Sequence, residues 1–279
     1  MWISEVAFRA PENAHNGYGA DRVETISHQD LDSFLQDFYA PANALLTVSG
    51  SFDRAYVVEQ IYEAFAGIDK PLASAGPVLT AEPDLTEDRL LRRHDPHAPH
   101  PATAIAFRAP SATGLTRELL ATTMLADNLV DDPLGRLDRR LGPSTGVTDL
   151  GSYVGLFANP FGGRAPLPWI VEALHSSTLT ADQLVAEIRD ELTAIAQAGP
   201  TQDEVNHTAR RTAAQMWRAQ DQTLGRLLLL GAVELLHGTC ETALNLPAQI
   251  LTITPDEVRA AASFLAQQHV AVLTLEEKQ

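Results

Sequence analysis

Residues 25–50 read TISHQDLDSFLQDFYAPANALLTVSG, and residues 252–277 read TITPDEVRAAASFLAQQHVAVLTLEE. The two stretches align without a gap at an offset of 227 residues (252 minus 25). Few letters are identical: Thr25/Thr252, Ile26/Ile253, Ala44/Ala271, Leu46/Leu273 and Thr47/Thr274. The physical pattern agrees better. Each copy opens on a hydroxyl residue, Ser27 or Thr254, with an acid three residues later, Asp30 or Glu257, which is the capping-box spacing. Pro255 suits the first helical position of the second copy. Leu31, Phe34, Leu35 and Phe38 then fall at helical spacing, as do Val258, Ala261, Ala262 and Leu265. After a short break both copies run into an apolar strand, 44–48 and 271–275. A helix–strand unit is expected to occur twice.

The segments between the copies fill in the rest. Helical spacing or caps mark 54–65, 116–129, 181–198, 201–218, 227–236 and 241–250, and strand patterns mark 102–108, 149–157 and 169–175. This order predicts an α+β fold with a mainly antiparallel sheet and helices packed on one face. Three expected regions follow: 1–72 as the truncated end of a first domain, 73–92 as a linker, and 93–279 as a complete second domain. By the same offset the first copy lacks everything equivalent to 93–227. A lone strand with two or three helices cannot bury its own faces, so 44–48 is expected to dock on the second domain or on another chain.

Composition excludes several classes. A formal charge of −16 argues against nucleic acid and against an anionic membrane surface, since both require basic patches. One cysteine, Cys240, rules out a disulfide framework and a thiolate metal cluster. The first residues, MWISE, do not read as a signal peptide, and the most apolar stretch, 227–236, is too short to span a bilayer. A cytoplasmic location is expected.

The stretch Leu31-xx-Phe34-xxx-Phe38-Tyr39-Ala40-Pro41-Ala42-Asn43-Ala44, running into Val48-Ser49-Gly50-Ser51-Phe52-Asp53, resembles one shared by pitrilysin/insulinase-type zinc peptidases. There a helix leads to a Y-x-P-x-N turn, a V-x-G-x-hydrophobic-D strand end and another helix. The segment 199–205, GPTQDEV, resembles the same family's G-x-T-x-x-E-hydrophobic helix start. The resemblance covers essentially the whole chain, which would be one complete pitrilysin-like domain plus the tail of a preceding one. It implies subunits of two similar α+β domains that close in pairs around an extended peptide. In an active subunit the first domain supplies H-x-x-E-H, whose two histidines hold zinc while the glutamate activates its water. None of the nine histidines here begins that motif or H-E-x-x-H. The resemblance therefore implies a zinc-free, non-catalytic chain with no cofactor of its own. Zinc is expected in a pitrilysin-like partner chain, and the assembled pair would process a peptide or small protein.

The family's second domain also contributes a substrate-contacting arginine that closes an R-L-x-x-x-L-R stretch. Here Arg136-Leu137-Asp138-Arg139-Arg140-Leu141 resembles it, with Gly142 in the closing position. Arg139 or Arg140, slightly displaced, is the candidate peptide contact. The plain alternative is a set of surface arginines paired with Asp131, Asp132 or Asp138.

Two rival readings come from other classes. One is a stand-alone peptide-binding or structural module. The other is an enzyme of unrelated chemistry, with two weak pointers. His94, His97 and His100 are imidazoles at three-residue spacing, but the intervening Pro96 and Pro99 favour an extended tract that splays them. Gly142-Pro143-Ser144-Thr145-Gly146 fits G-x-S-x-G, yet a helix precedes and a strand follows, the reverse of a nucleophile elbow. His207, His237 or His269 would have to supply a base.

Overall fold

The computed structural model describes residues 2–14, 25–68, 81–110, 115–131, 135–142, 145–155, 159–164 and 166–277. A five-stranded sheet is its centre. The strands are β1 (Arg89–Asp95), β2 (Ala102–Arg108), β3 (Val147–Val154), β4 (Pro168–His175) and β5 (Ala271–Glu277). Their spatial order is β1-β5-β2-β4-β3, with β1 parallel to β5 and the other neighbours antiparallel. The fold is α+β with a mainly antiparallel sheet, as the element order implies.

Helices α5 (Arg117–Ala126), α7 (Ala181–Ala198) and α11 (Pro255–Ala266) cover one face. Their apolar stripes are the expected ones. Leu184, Ile188, Leu192 and Ile195 of α7 and Val258, Ala261, Ala262 and Leu265 of α11 are all buried. They pack with Ile105, Phe107, Trp169 and Val171 from the sheet. Trp169 is fully enclosed and donates its indole N–H to Ser152 Oγ across the β3–β4 pair at 2.8 Å. This satisfies a buried donor that would otherwise be costly. A second helical layer follows: α8 (Gln202–Asp221), α9 (Thr223–His237) and α10 (Cys240–Ile250). Gly238 ends α9 in the left-handed conformation and returns its N–H to Glu234 O, a closure that suits a residue without Cβ. Among the described residues no single helix is long and apolar enough to cross a membrane.

The opposite face of the sheet is covered only in part. Helix α1 (Ile3–Ala7), followed by the single turn α2 (Pro11–Ala14), lies on it. Ile3, Val6, Ala7 and Phe8 pack there against Ala106, Ile170, Ala271 and Leu273. Arg89 anchors this crossing by donating to Phe8 O, and Glu82 accepts from the backbone N–H groups of Arg9 and Ala10.

The structure moves two expected boundaries. Residues 89–92, read as the end of the linker, belong to β1, so the sheet begins inside the 73–92 interval. Residues 2–14, read as part of the first unit, pack on the sheet of the second. A third expectation also changes. The two repeat helices are present with full capping boxes: Ser27/Asp30 opens α3 (His28–Phe38), and Thr254/Glu257 opens α11. The strand that follows exists only in the second copy. Residues 44–49 belong to no ladder among the described residues, although Ala44 has extended dihedrals. A strand is defined by its neighbouring strands, and among the described residues this run has none; its Thr47 lies instead against Gly231 of α9. A further helix, α4 (Arg54–Phe65), capped by Asp53, completes this unit.

Candidate functional site

The arginines singled out from sequence lie on α6 (Arg136–Arg140), a short helix joined to α5 through a π-helical turn at Asp127–Asp131. Leu137 and Leu141 are buried and fix which way this helix faces. Arg136 is thereby aimed at α7 and α8. Its guanidinium bonds both carboxylate oxygens of Glu204, at 2.9 and 3.0 Å, and Glu191 at 3.2 Å. This forked geometry is the strong form of an arginine–carboxylate pair. Glu204 is also the capping-box acid of α8. Burial works against its charge, but hydrogen bonds from Thr201 and Arg136 outweigh it and hold the carboxyl below its usual range.

Arg140 faces the acidic side of α7, where it pairs with Glu187, with Asp190 at 3.3 Å and with Glu191 at 3.5 Å. Arg139 is exposed, and among the described residues its side chain makes no hydrogen bond or ion pair. The two candidates thus occupy different environments: Arg140 is tied to a helix, and Arg139 projects into solvent. The acids that pair with Arg140 among the described residues are Glu187, Asp190 and Glu191, not the Asp138 named from sequence. Asp132 and the side chain of Asp131 fall outside the described residues.

The half-open face of the sheet carries a second feature. A cavity of roughly 500 Å³ lies between Trp2, Asp149, Tyr153, Glu172, Leu174 and Leu273. Gly151 stands opposite Glu172 on the neighbouring strand, and a Cβ there would meet the Glu172 side chain at 3.3 Å. Glu172 therefore lies across β3, and it accepts a hydrogen bond from the Tyr153 hydroxyl at 3.1 Å. Burial and the adjacent Glu172 carboxylate push the Tyr153 hydroxyl well above the ordinary tyrosine range, so it stays a donor. Trp2 is held in place by Arg93, whose guanidinium sits 4.8 Å over the indole and also bonds Glu5.

The weaker pointers do not converge. His94 is on β1, His97 lies in the turn after it, and both are exposed with His100. Among the described residues, no group of three or more His, Cys, Asp or Glu side chains is placed to share a metal ion. Pro143 and Ser144 lie outside the described residues. The order around them is α6 before and β3 after. His207 sits in α8, His237 at the end of α9, and His269 beside Asp88 ahead of β5, three separate places.

A profile of the peptidase M16 inactive domain matches residues 25–211. The chain belongs to this family. M16 peptidases are the pitrilysin type, so the resemblance read from the 31–53 motif is the correct one. Several solved structures share the M16 fold at low identity. A protease from Helicobacter pylori is 17% identical, with a TM-score of 0.79 over 92% of this chain and 60% of that one. An M16 inactive domain from Pseudomonas fluorescens is 15% identical, with a TM-score of 0.78 over 99% of this chain and 64% of that one. A chain of complex III2 from Candida albicans is 15% identical, with a TM-score of 0.79, and covers 98% and 64% respectively. This chain therefore spans less than two thirds of the length of each. A search of curated proteins returns no match.

Sequence reasoning quoted Arg136 but did not select it as the anchor of α6. The available signal was Glu204, a capping acid with a free carboxylate edge. The cavity on the sheet was not anticipated, because it depends on where α1 packs.

Proposed function

We propose that this chain is a zinc-free, non-catalytic half of an M16 peptidase assembly. It forms part of the wall of a peptide-binding chamber and pairs with a zinc-bearing M16 chain that performs the hydrolysis. The observation that carries this reading is the contrast between its two parts. The described residues within 81–277 build a five-stranded sheet covered by helices, whereas the described residues within 25–68 keep the M16 sequence pattern without a strand ladder. Membership in the inactive-domain family and the absence of H-x-x-E-H from the sequence agree with it. A similarly folded chain occurs in the structure of complex III2 from Candida albicans, which supports a place for this chain inside a larger assembly.

In this reading Arg139 reaches into the chamber and contacts an extended peptide, while Arg140 holds α6 on α7. The cavity beside Tyr153 and Glu172 lies on the sheet face available to the same peptide. The pair works in the cytoplasm on a peptide or small protein. Co-expression with a zinc-bearing M16 chain tests the proposal. The expected result is a stable complex that cleaves a peptide library and loses activity with chelator. A chain that stays separate from every zinc-bearing M16 chain tested would overturn it.

The stand-alone peptide-binding alternative draws on the same cavity. It predicts peptide binding by the isolated chain and no gain on adding a partner.

A further inference from the structure

The cavity on the open face of the sheet has charge on its rim that nothing in the chain answers. Strand alternation puts Asp149, Gly151 and Tyr153 of β3 on that face, because Ser152 turns the other way to meet the buried Trp169 indole. Glu172 of β4 and Leu273 and Leu275 of β5 line the same cavity, with Trp2 beside them. Asp149 and Glu172 are both exposed. Among the described residues the Asp149 carboxylate makes no hydrogen bond or ion pair. Glu172 has one hydrogen bond, from the Tyr153 hydroxyl, and no cation. Acids elsewhere on this domain do have cations: Arg117 meets Glu257, Arg136 meets Glu204, and Arg189 meets Asp88. Arg93, which stacks on Trp2, is itself neutralised by Glu5 at 2.5 Å.

We propose that this cavity takes a basic side chain, arginine or lysine, of an extended peptide. Its aliphatic stem lies on the Leu273 and Leu275 floor, and its cationic head meets the carboxylates of Asp149 and Glu172. This assigns a chemical class to the peptide of the chamber reading above, on which it rests.

The shape and the chemistry agree. Roughly 500 Å³ has room for such a side chain together with the backbone that carries it. An apolar floor under a charged rim matches the two ends of a long basic side chain, which buries its stem and keeps its head among polar groups. The Tyr153 hydroxyl stays a donor to one Glu172 oxygen, so the carboxylate keeps acceptor capacity for a ligand. A chain with a formal charge of −16 also draws basic peptides towards it. Other occupants fit less well. An anion would face two carboxylates, and a wholly apolar side chain would strip water from both and return no hydrogen bond. A metal ion would lack ligands, since among the described residues no group of three or more His, Cys, Asp or Glu side chains converges.

The test uses the isotope-labelled full chain, without a partner, followed by nuclear magnetic resonance. It is titrated with an end-blocked hexapeptide carrying a single arginine and with its citrulline twin, which has the same shape and no charge. The expected result is saturable movement of the Gly151, Tyr153 and Leu273 amide signals, with the citrulline peptide about tenfold weaker. Glu172→Gln and Asp149→Asn should each weaken the arginine peptide by about three- to tenfold. Both should leave the citrulline peptide and thermal unfolding unchanged. Equal binding of the two peptides, binding of neither, or movement of signals elsewhere on the chain would overturn the proposal. Complex formation with a zinc-bearing M16 chain, read separately by size-exclusion chromatography, shows whether the chamber reading fails with it.

Discussion

Leu46 and Leu273 are the same residue at the same place in two copies of one unit, and truncating each gives a matched experiment. Leu273 is 5% exposed and packs with Ile3, Val6, Ala106 and Ile170. Leu273→Ala removes that burial and leaves a hole, which costs about 2–5 kcal/mol in a buried position. Leu46 is 56% exposed in an unpaired segment, so Leu46→Ala costs less than about 0.5 kcal/mol. Urea denaturation followed by the fluorescence of buried Trp169 reads both. With a slope of about 1–3 kcal/mol per M, the Leu273 variant should unfold at least about 0.7 M earlier, and the Leu46 variant within about 0.5 M of the parent. Equal shifts would refute the reasoning, because they would mean that 44–48 already lies in a core.

Other expectations follow from the ion pairs. Glu257 is held at a pKa of about 2 mainly by Arg117, with help from the Thr254 backbone N–H and against the cost of burial. A carboxylate depressed in the folded state contributes stability that is complete above its unfolded pKa of about 4.3 and is lost as pH falls towards 2. Glu257→Gln should therefore flatten the acid limb of a stability–pH curve between those values and lower stability at pH 7. Arg136→Ala leaves Glu204 and Glu191 without their shared cation and should cost about 1–3 kcal/mol, measured by thermal unfolding. Arg139→Ala should leave unfolding within about 0.5 kcal/mol of the parent, yet reduce peptide affinity of the assembled pair in a fluorescence-anisotropy titration.

Much of this fold was legible because its signals are local. Four capping boxes open helices, at Ser27, Thr180, Thr201 and Thr254, and each places a hydroxyl three residues from an acid or amide. The stripe on α7 and the apolar run of β5 needed no tertiary information. β1 was read as linker for a physical reason: RLLRRHD is an edge strand whose side chains alternate between half-buried and exposed, so arginines outnumber apolar residues. Residues 44–48 gave the opposite error. Their apolar pattern is that of a strand, but pairing depends on neighbours that the local sequence does not contain. The site was less legible still. The partners of Arg136 and Arg140 lie 47 to 68 residues away on α7 and α8, so only the packed structure separates Arg140 from Arg139. The family resemblance did not depend on those contacts, and the profile match to 25–211 agrees with it.

The most direct measurement of the central claim is peptidase activity of the purified chain, alone and with a zinc-bearing M16 chain, each with and without a strong chelator. The account predicts no cleavage by the chain alone, and cleavage by the pair that chelator abolishes. Cleavage of peptides by the isolated chain in the presence of chelator would contradict it.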